Sequence, residues 1–149
     1  MIEKLEKNFN IKFKNKDLLK NALTHKSLNK KKNNEKLEFL GDRVLGLVLS
    51  SKLFDLYPNV SEGELDKRFA KLVNRKTCSK VSWSIGLQNY ILIGNNKKKI
   101  SIDDEKILSD CCEALIGAIY LDKGFNFVKN YVLSIWKDFL EESNVTIRD

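Results

Sequence analysis

From Ile107 to Leu121 the chain reads Ile-Leu-Ser-Asp-Cys-Cys-Glu-Ala-Leu-Ile-Gly-Ala-Ile-Tyr-Leu. Wound as an α-helix, this stretch carries apolar side chains on nearly every side, which is the pattern of a helix buried inside a domain. Two carboxylates, Asp110 and Glu113, sit in it three residues apart and therefore on one face. Carboxylates removed from water are costly unless paired or bound to a metal. No Lys or Arg lies between Ser109 and Leu121. A fold built around this helix has to bring something to those two acids.

The rest of the chain predicts an all-α domain. One Pro and seven Gly in 149 residues are too few turns for a β-rich fold, and 42% hydrophobic residues suffice for one core. Short amphipathic helices are expected over 2–8 and 16–25, then a polar loop at 30–34. A long helix over 34–57 is stopped by Pro58. Ser61 with Glu64 reads as a capping box opening a helix to about Ile85. Ser101 with Asp104 starts the buried helix, which ends at Gly124. A last helix is expected over 126–142, with 143–149 as the start of a linker.

The long helix holds a second set of acids. At about 100° per residue, Leu37, Leu40, Val44, Leu47 and Val48 form a core stripe, while Glu35, Glu38 and Asp42 gather on the opposite face. Alone, such a face is simply solvated. Beside the buried pair it has another meaning, because Gly41, Gly46 and Gly117 lie on the acid-bearing faces and would let two backbones approach. Two helices each presenting an acidic pair describe a divalent-metal site in a helical core. All donors are oxygens, which suits Mg²⁺ or Mn²⁺ rather than Zn²⁺. His25 is read as structural. A hard ion on carboxylates is suited to phosphodiester hydrolysis.

The charge suits a polyanionic partner such as nucleic acid, although on charge alone a solvated face is the simpler reading. The net charge is +7, and residues 1–32, with ten Lys and three acids, carry all of it. A second basic face is predicted on the helix after Ser61, from Lys67, Arg68, Lys71, Arg75 and Lys76. Short Lys runs stand at 30–32 and 97–99. Cys78, Cys111 and Cys112 are expected to be buried free thiols, since neither their spacing nor the single His suggests zinc. No apolar run reaches the ~20 residues of a membrane span, so a soluble, cytoplasmic protein is expected.

The stretch from Asn34 to Leu45, Asn-Glu-Lys-Leu-Glu-Phe-Leu-Gly-Asp-Arg-Val-Leu, closely resembles the signature motif of the ribonuclease III family. Leu19–Ser27, Glu62–Leu65 and Asp110–Asp122 match further family stretches, in the family's order and over nearly the whole chain. The resemblance implies the helical ribonuclease III endonuclease-domain fold over 1–142. It also implies a Mg²⁺-dependent endoribonuclease that cuts double-stranded RNA to 5′-phosphate and 3′-hydroxyl ends, in processing of ribosomal and other precursors, with Mn²⁺ able to substitute. By position, Glu38, Asp42, Asp110 and Glu113 would be the metal cluster, with Asp42 and Glu113 most directly catalytic. Glu35 and Glu62 would be auxiliary acids, and Lys67, Lys71 and Arg75 candidates for RNA contact. A homodimer is implied in which Phe39 enters a socket on the partner; no membrane and no small-molecule cofactor is expected. The family's bacterial members usually carry a double-stranded-RNA-binding domain after the nuclease domain, and this chain ends where that linker would begin. The main alternative is an inactive relative that binds RNA.

Overall fold

Eight helices form in the computed structural model, which describes residues 2–94 and 99–148, with side chains as far as Ser143. They are α1 (Ile2–Phe9), α2 (Lys16–Ala22), α3 (Glu35–Leu56), α4 (Glu62–Val73), α5 (Arg75–Ser84), α6 (Glu105–Lys123), α7 (Phe125–Ile135) and α8 (Lys137–Arg148). A 3₁₀ turn covers Leu87–Asn89, and one isolated bridge joins Thr24 to Leu92. The expected all-α class is met: no β-strand occurs among the described residues. No described helix is long and apolar enough to cross a membrane. Of the Lys run at 97–99, only Lys99 falls among the described residues.

The buried helix is the axis of the fold. α6 packs on α2, α3, α5 and α7, and its residues from Cys111 to Cys112 and from Ala114 to Ile119 are buried. All three Cys are free and buried, as expected. Gly124, at φ 88°, lets the chain leave α6 and enter α7 without an intervening loop. At the same end of α6, the Asp122 carboxylate accepts the backbone N–H groups of Lys14 and Asn15, each at 2.9 Å, and so ties down the α1–α2 loop.

Several expected elements are corrected. The helix foreseen from Ser61 to Ile85 breaks at Asn74, whose side chain accepts the Thr77 N–H at 2.8 Å and caps α5 as a new helix. The break orphans carbonyls at the end of α4, and the buried Trp136 indole donates to one of them, Leu72 O, at 2.9 Å. Trp136 is also where the expected last helix divides into α7 and α8. Beyond it, α8 runs past the expected end at 142 to Arg148, and Asp149 lies outside the described residues. Ser101 and Asp104 form a turn ahead of α6, Asp104 accepting the Ser101 N–H at 2.7 Å, and the helix starts at Glu105. Ser61 does cap α4, accepting the Glu64 N–H.

Two side chains face other ways than the wheel implies. Leu47, placed on the core stripe, is 55% exposed, because the flank of α3 that it shares with Phe39 and Phe54 is left uncovered. Arg68, placed on the basic outer face, is buried and stacks on the Tyr57 ring, with Cζ 3.9 Å from its centroid. The basic residues of 67–76 therefore do not make one continuous helical face. Gly46 is not a point of close backbone approach within the chain, since a Cβ there would meet Phe69 at an ordinary 3.5 Å.

Candidate active site

The site lies where α3 crosses α6. At the crossing the two backbones touch through Gly41 and Gly117. A Cβ on Gly41 would overlap the Glu113 carbonyl, and one on Gly117 would overlap the Leu37 carbonyl. Only glycine at both positions allows this approach. Glu38 and Asp42 flank the crossing on α3, and Glu113 lies one turn before Gly117 on α6. The acids foreseen on separate helices are thus brought together. One oxygen from each of Glu38, Asp110 and Glu113 lies within 4.8 Å of the other two. Asp42 joins them through a hydrogen bond to Glu113, and Glu38 is hydrogen-bonded to Asp110.

Hydrogen bonds between carboxyl groups require protons. Burial, reinforced by the hydrogen bond and negative charge of Asp42, pushes the Glu113 carboxyl up to about 9. Burial also raises Glu38, with Asp110 the next cause. Glu113 therefore holds its proton at neutral pH and donates it toward Asp42. Both aspartates meet cations. Lys106 Nζ is 3.0 Å from Asp110 Oδ2, and Arg43 Nη1 is 3.4 Å from Asp42 Oδ2. Four acids thus sit between two cations, with Glu113 protonated among them.

Neither cation was foreseen as a partner. Lys106 stands one turn before Asp110, just ahead of the stretch that lacks basic residues, and an i,i+4 spacing is the signal that would have found it. Arg43 is adjacent to Asp42 in sequence. His25 is structural, as expected: its Nδ1 accepts the Ser27 N–H at 3.1 Å, bracing the turn after α2, and burial lowers its basicity. Burial raises all three thiols, Cys111 to about 12, so in the metal-free protein they are neutral.

The remaining candidates lie outside the cluster. Glu35 is exposed in the first turn of α3. Glu62 is exposed in the first turn of α4, on the wall of an apolar groove of about 340 Å³ lined by Leu53, Phe54, Leu65 and Phe69. Lys67, Lys71 and Arg75 are exposed, the first two on α4 and Arg75 at the start of α5. Phe39 is 62% exposed, and its contact within the chain is Arg43, whose Cζ stands 3.8 Å above the ring.

Comparison with known proteins places these features in context. A family profile described as ribonuclease-III-like matches residues 15–139. The chain is 53% identical over 144 residues to the ribonuclease 3 of Pelagibacter ubique, covering 96% of this chain and 64% of that protein. It is 46% identical over 154 residues to the ribonuclease 3 of Campylobacter jejuni, covering 99% and 67%. The chain thus spans about two thirds of the length of these relatives. Among solved structures it superposes on a ribonuclease III nuclease domain from C. jejuni, described for flexibility in a region of dimer formation. The TM-score is 0.85 at 45% identity, over 93% of this chain and 97% of that one. Dicer from Pichia stipitis matches with a TM-score of 0.72 at 26% identity, over 90% of this chain and 60% of that one.

Proposed function

The chain belongs to the ribonuclease-III-like family, and from that premise we propose that it is a divalent-metal-dependent endoribonuclease acting on double-stranded RNA. The products would carry 5′-phosphate and 3′-hydroxyl ends, in the processing of ribosomal and other RNA precursors in the cytoplasm. The nuclease domain is assigned to 1–142. The observation that carries the reading is the meeting of Glu38 and Asp42 with Asp110 and Glu113 at the Gly41–Gly117 crossing.

The donor set fits a hard cation. Every candidate ligand is a carboxylate oxygen, and three of these oxygens lie within 4.8 Å of one another, within small side-chain shifts of the ~4.2 Å that opposite ligands span on Mg²⁺. The upward shifts of Glu113 and Glu38 support the same assignment, because carboxyls crowded together ionise fully only with added positive charge. We assign Glu38, Asp42, Asp110 and Glu113 as the ligand set, with Mg²⁺ the expected ion and Mn²⁺ a substitute. When bound, the ion supplies Lewis acidity and neutralises charge at a phosphodiester. Asp42 and Glu113 are proposed to stand closest to the reaction, and Glu113 gives up its proton on becoming a ligand. Lys67, Lys71 and Arg75 are proposed to hold the RNA backbone, with Glu35 and Glu62 as auxiliary acids outside the ligand set. Neither a membrane nor a small-molecule cofactor has a part.

A homodimer is part of the proposal. Phe39, Leu47 and Phe54 form an exposed apolar stripe along α3, and the Leu53–Phe69 groove is open to receive a ring. Phe39 crossing into that groove on a partner would place two cluster sites against the two strands of a duplex.

The alternative, an inactive RNA-binding relative, is disfavoured because all four carboxylates are present and adjacent. A Mg²⁺ titration with a duplex RNA and a matched single strand separates the readings. Metal-dependent cutting of the duplex is expected, and an uncut duplex at saturating Mg²⁺ contradicts the proposal.

A further inference from the structure

Asp110 has a cation of its own. Lys106, one turn earlier on α6, sets Nζ 3.0 Å from Asp110 Oδ2, with the lysine side chain 60% exposed and the aspartate 19%. The aspartate is at once a partner of Glu38 and one of the three residues whose oxygens converge within 4.8 Å. The ammonium therefore stands on the solvent side of the oxygen set assigned to the metal. The helix itself gives little reason for the contact. A Lys placed before an Asp at i,i+4 is the less favourable orientation, and such pairs are weak on an exposed surface. What draws the ammonium in is the surrounding acid: Glu38 attracts it as well, against the repulsion of Arg75.

We propose that Lys106 is the resident counter-ion of the metal-free site, displaced from Asp110 when a divalent cation enters, and so a residue that sets the site's metal affinity. This rests on the metal-site reading above. An Asp110 carboxylate whose charge is drawn to an ion holds the ammonium less strongly, and an ammonium left ~5 Å from a doubly charged ion is repelled by it. Lys106 thus weakens metal binding while keeping the empty site from accumulating negative charge. It is a positioning residue and does not itself contact substrate in this account.

The test is Mn²⁺ binding to the RNA-free protein, followed by the electron-paramagnetic-resonance signal of free Mn²⁺. Lys106→Met should bind Mn²⁺ roughly three- to fifteen-fold tighter than the parent, the range a unit charge at this separation gives between screened and unscreened limits. Lys106→Arg, which keeps the charge, should stay near the parent. Lys129→Met, which removes an exposed charge on α7, should stay within about twofold. Parent-like or weaker binding by Lys106→Met overturns the proposal and leaves the metal site standing. A parent that binds no Mn²⁺, or binds it unchanged after Glu38→Gln and Glu113→Gln, overturns the metal site and this inference together.

Discussion

Gly41 and Gly117 are in backbone contact: a Cβ on Gly41 would lie 2.9 Å from the Gly117 nitrogen, and one on Gly117 would lie 3.1 Å from the Gly41 nitrogen. Every carboxylate of the site is set by this crossing. Gly117→Ala would drive a methyl group into the Leu37 carbonyl, which is backbone and cannot swing aside. The helices would have to part, at a cost of at least the ~1–3 kcal/mol typical of overpacking. Urea unfolding should show a loss of that size, and duplex cleavage should fall with it as the carboxylates separate. Parent-like stability and cleavage in the variant would contradict the role given to the crossing.

The raised glutamates predict a pH dependence of the metal-free protein. Glu113 titrates at about 9 when folded, against 4.5 when unfolded, chiefly through burial and then Asp42. The folded state therefore binds a proton that the unfolded chain releases, and stability falls as pH rises between those values. Glu38 acts in the same direction. Glu113→Gln removes the proton in question. It should flatten the decline and be at least as stable as the parent near pH 8, with little difference near pH 5. Urea midpoints with chelator at the two pH values check this; a parent more stable near pH 8 than near pH 5, on a slope that Glu113→Gln leaves unchanged, contradicts it.

How much of this was legible in the sequence depends on what each feature requires. Asp110 and Glu113 stand out because a carboxylate in an apolar helix has no bland explanation, and Gly41 and Gly117 because small residues beside acids imply close backbones. The break at Asn74 was hidden, since the apolar and basic spacing runs on through it. Only the capping hydrogen bond to Thr77 reveals a new helix. Leu47 and Arg68 were misplaced for one reason: a helical wheel gives direction but not which neighbours cover it. Arg68 is buried because Tyr57 offers an aromatic face, and Leu47 is exposed because no described residue covers that flank. The Lys106 spacing was readable, but the approach of Glu38 that gives it meaning exists only once α3 lies against α6.

Binding of duplex RNA should be weak and governed by salt. The excess charge lies in residues 1–32, and Lys67, Lys71 and Arg75 add exposed cations on α4 and α5. Phosphate contacts should dominate, so log affinity should fall linearly with log salt, by about 0.9 per phosphate neutralised if duplex RNA behaves like B-DNA. Replacing Lys67, Lys71 and Arg75 together by Gln should reduce that slope. Salt-insensitive binding, or an unchanged slope in the triple variant, would remove these residues from the interface.

Phe39 should act between subunits. It is 62% exposed and covered within the chain by Arg43, so Phe39→Ala should leave monomer stability nearly unchanged. Sedimentation at low micromolar concentration should show the parent as a dimer and the variant shifted toward monomer, with duplex cleavage reduced accordingly. A variant that dimerises as tightly as the parent would exclude Phe39 from the interface.

The central claim is that the carboxylates joined by α3 and α6 hold a divalent ion that cuts RNA, and Glu113→Gln tests it most directly. The amide is nearly the same size and keeps a donor toward Asp42, but it cannot supply the charge that the ion requires. Single-turnover cleavage of a duplex RNA in saturating Mg²⁺ should be abolished in the variant, while its RNA affinity in Ca²⁺ or chelator stays at the parent value. Cleavage at near-parental rate in Mg²⁺ would contradict the account.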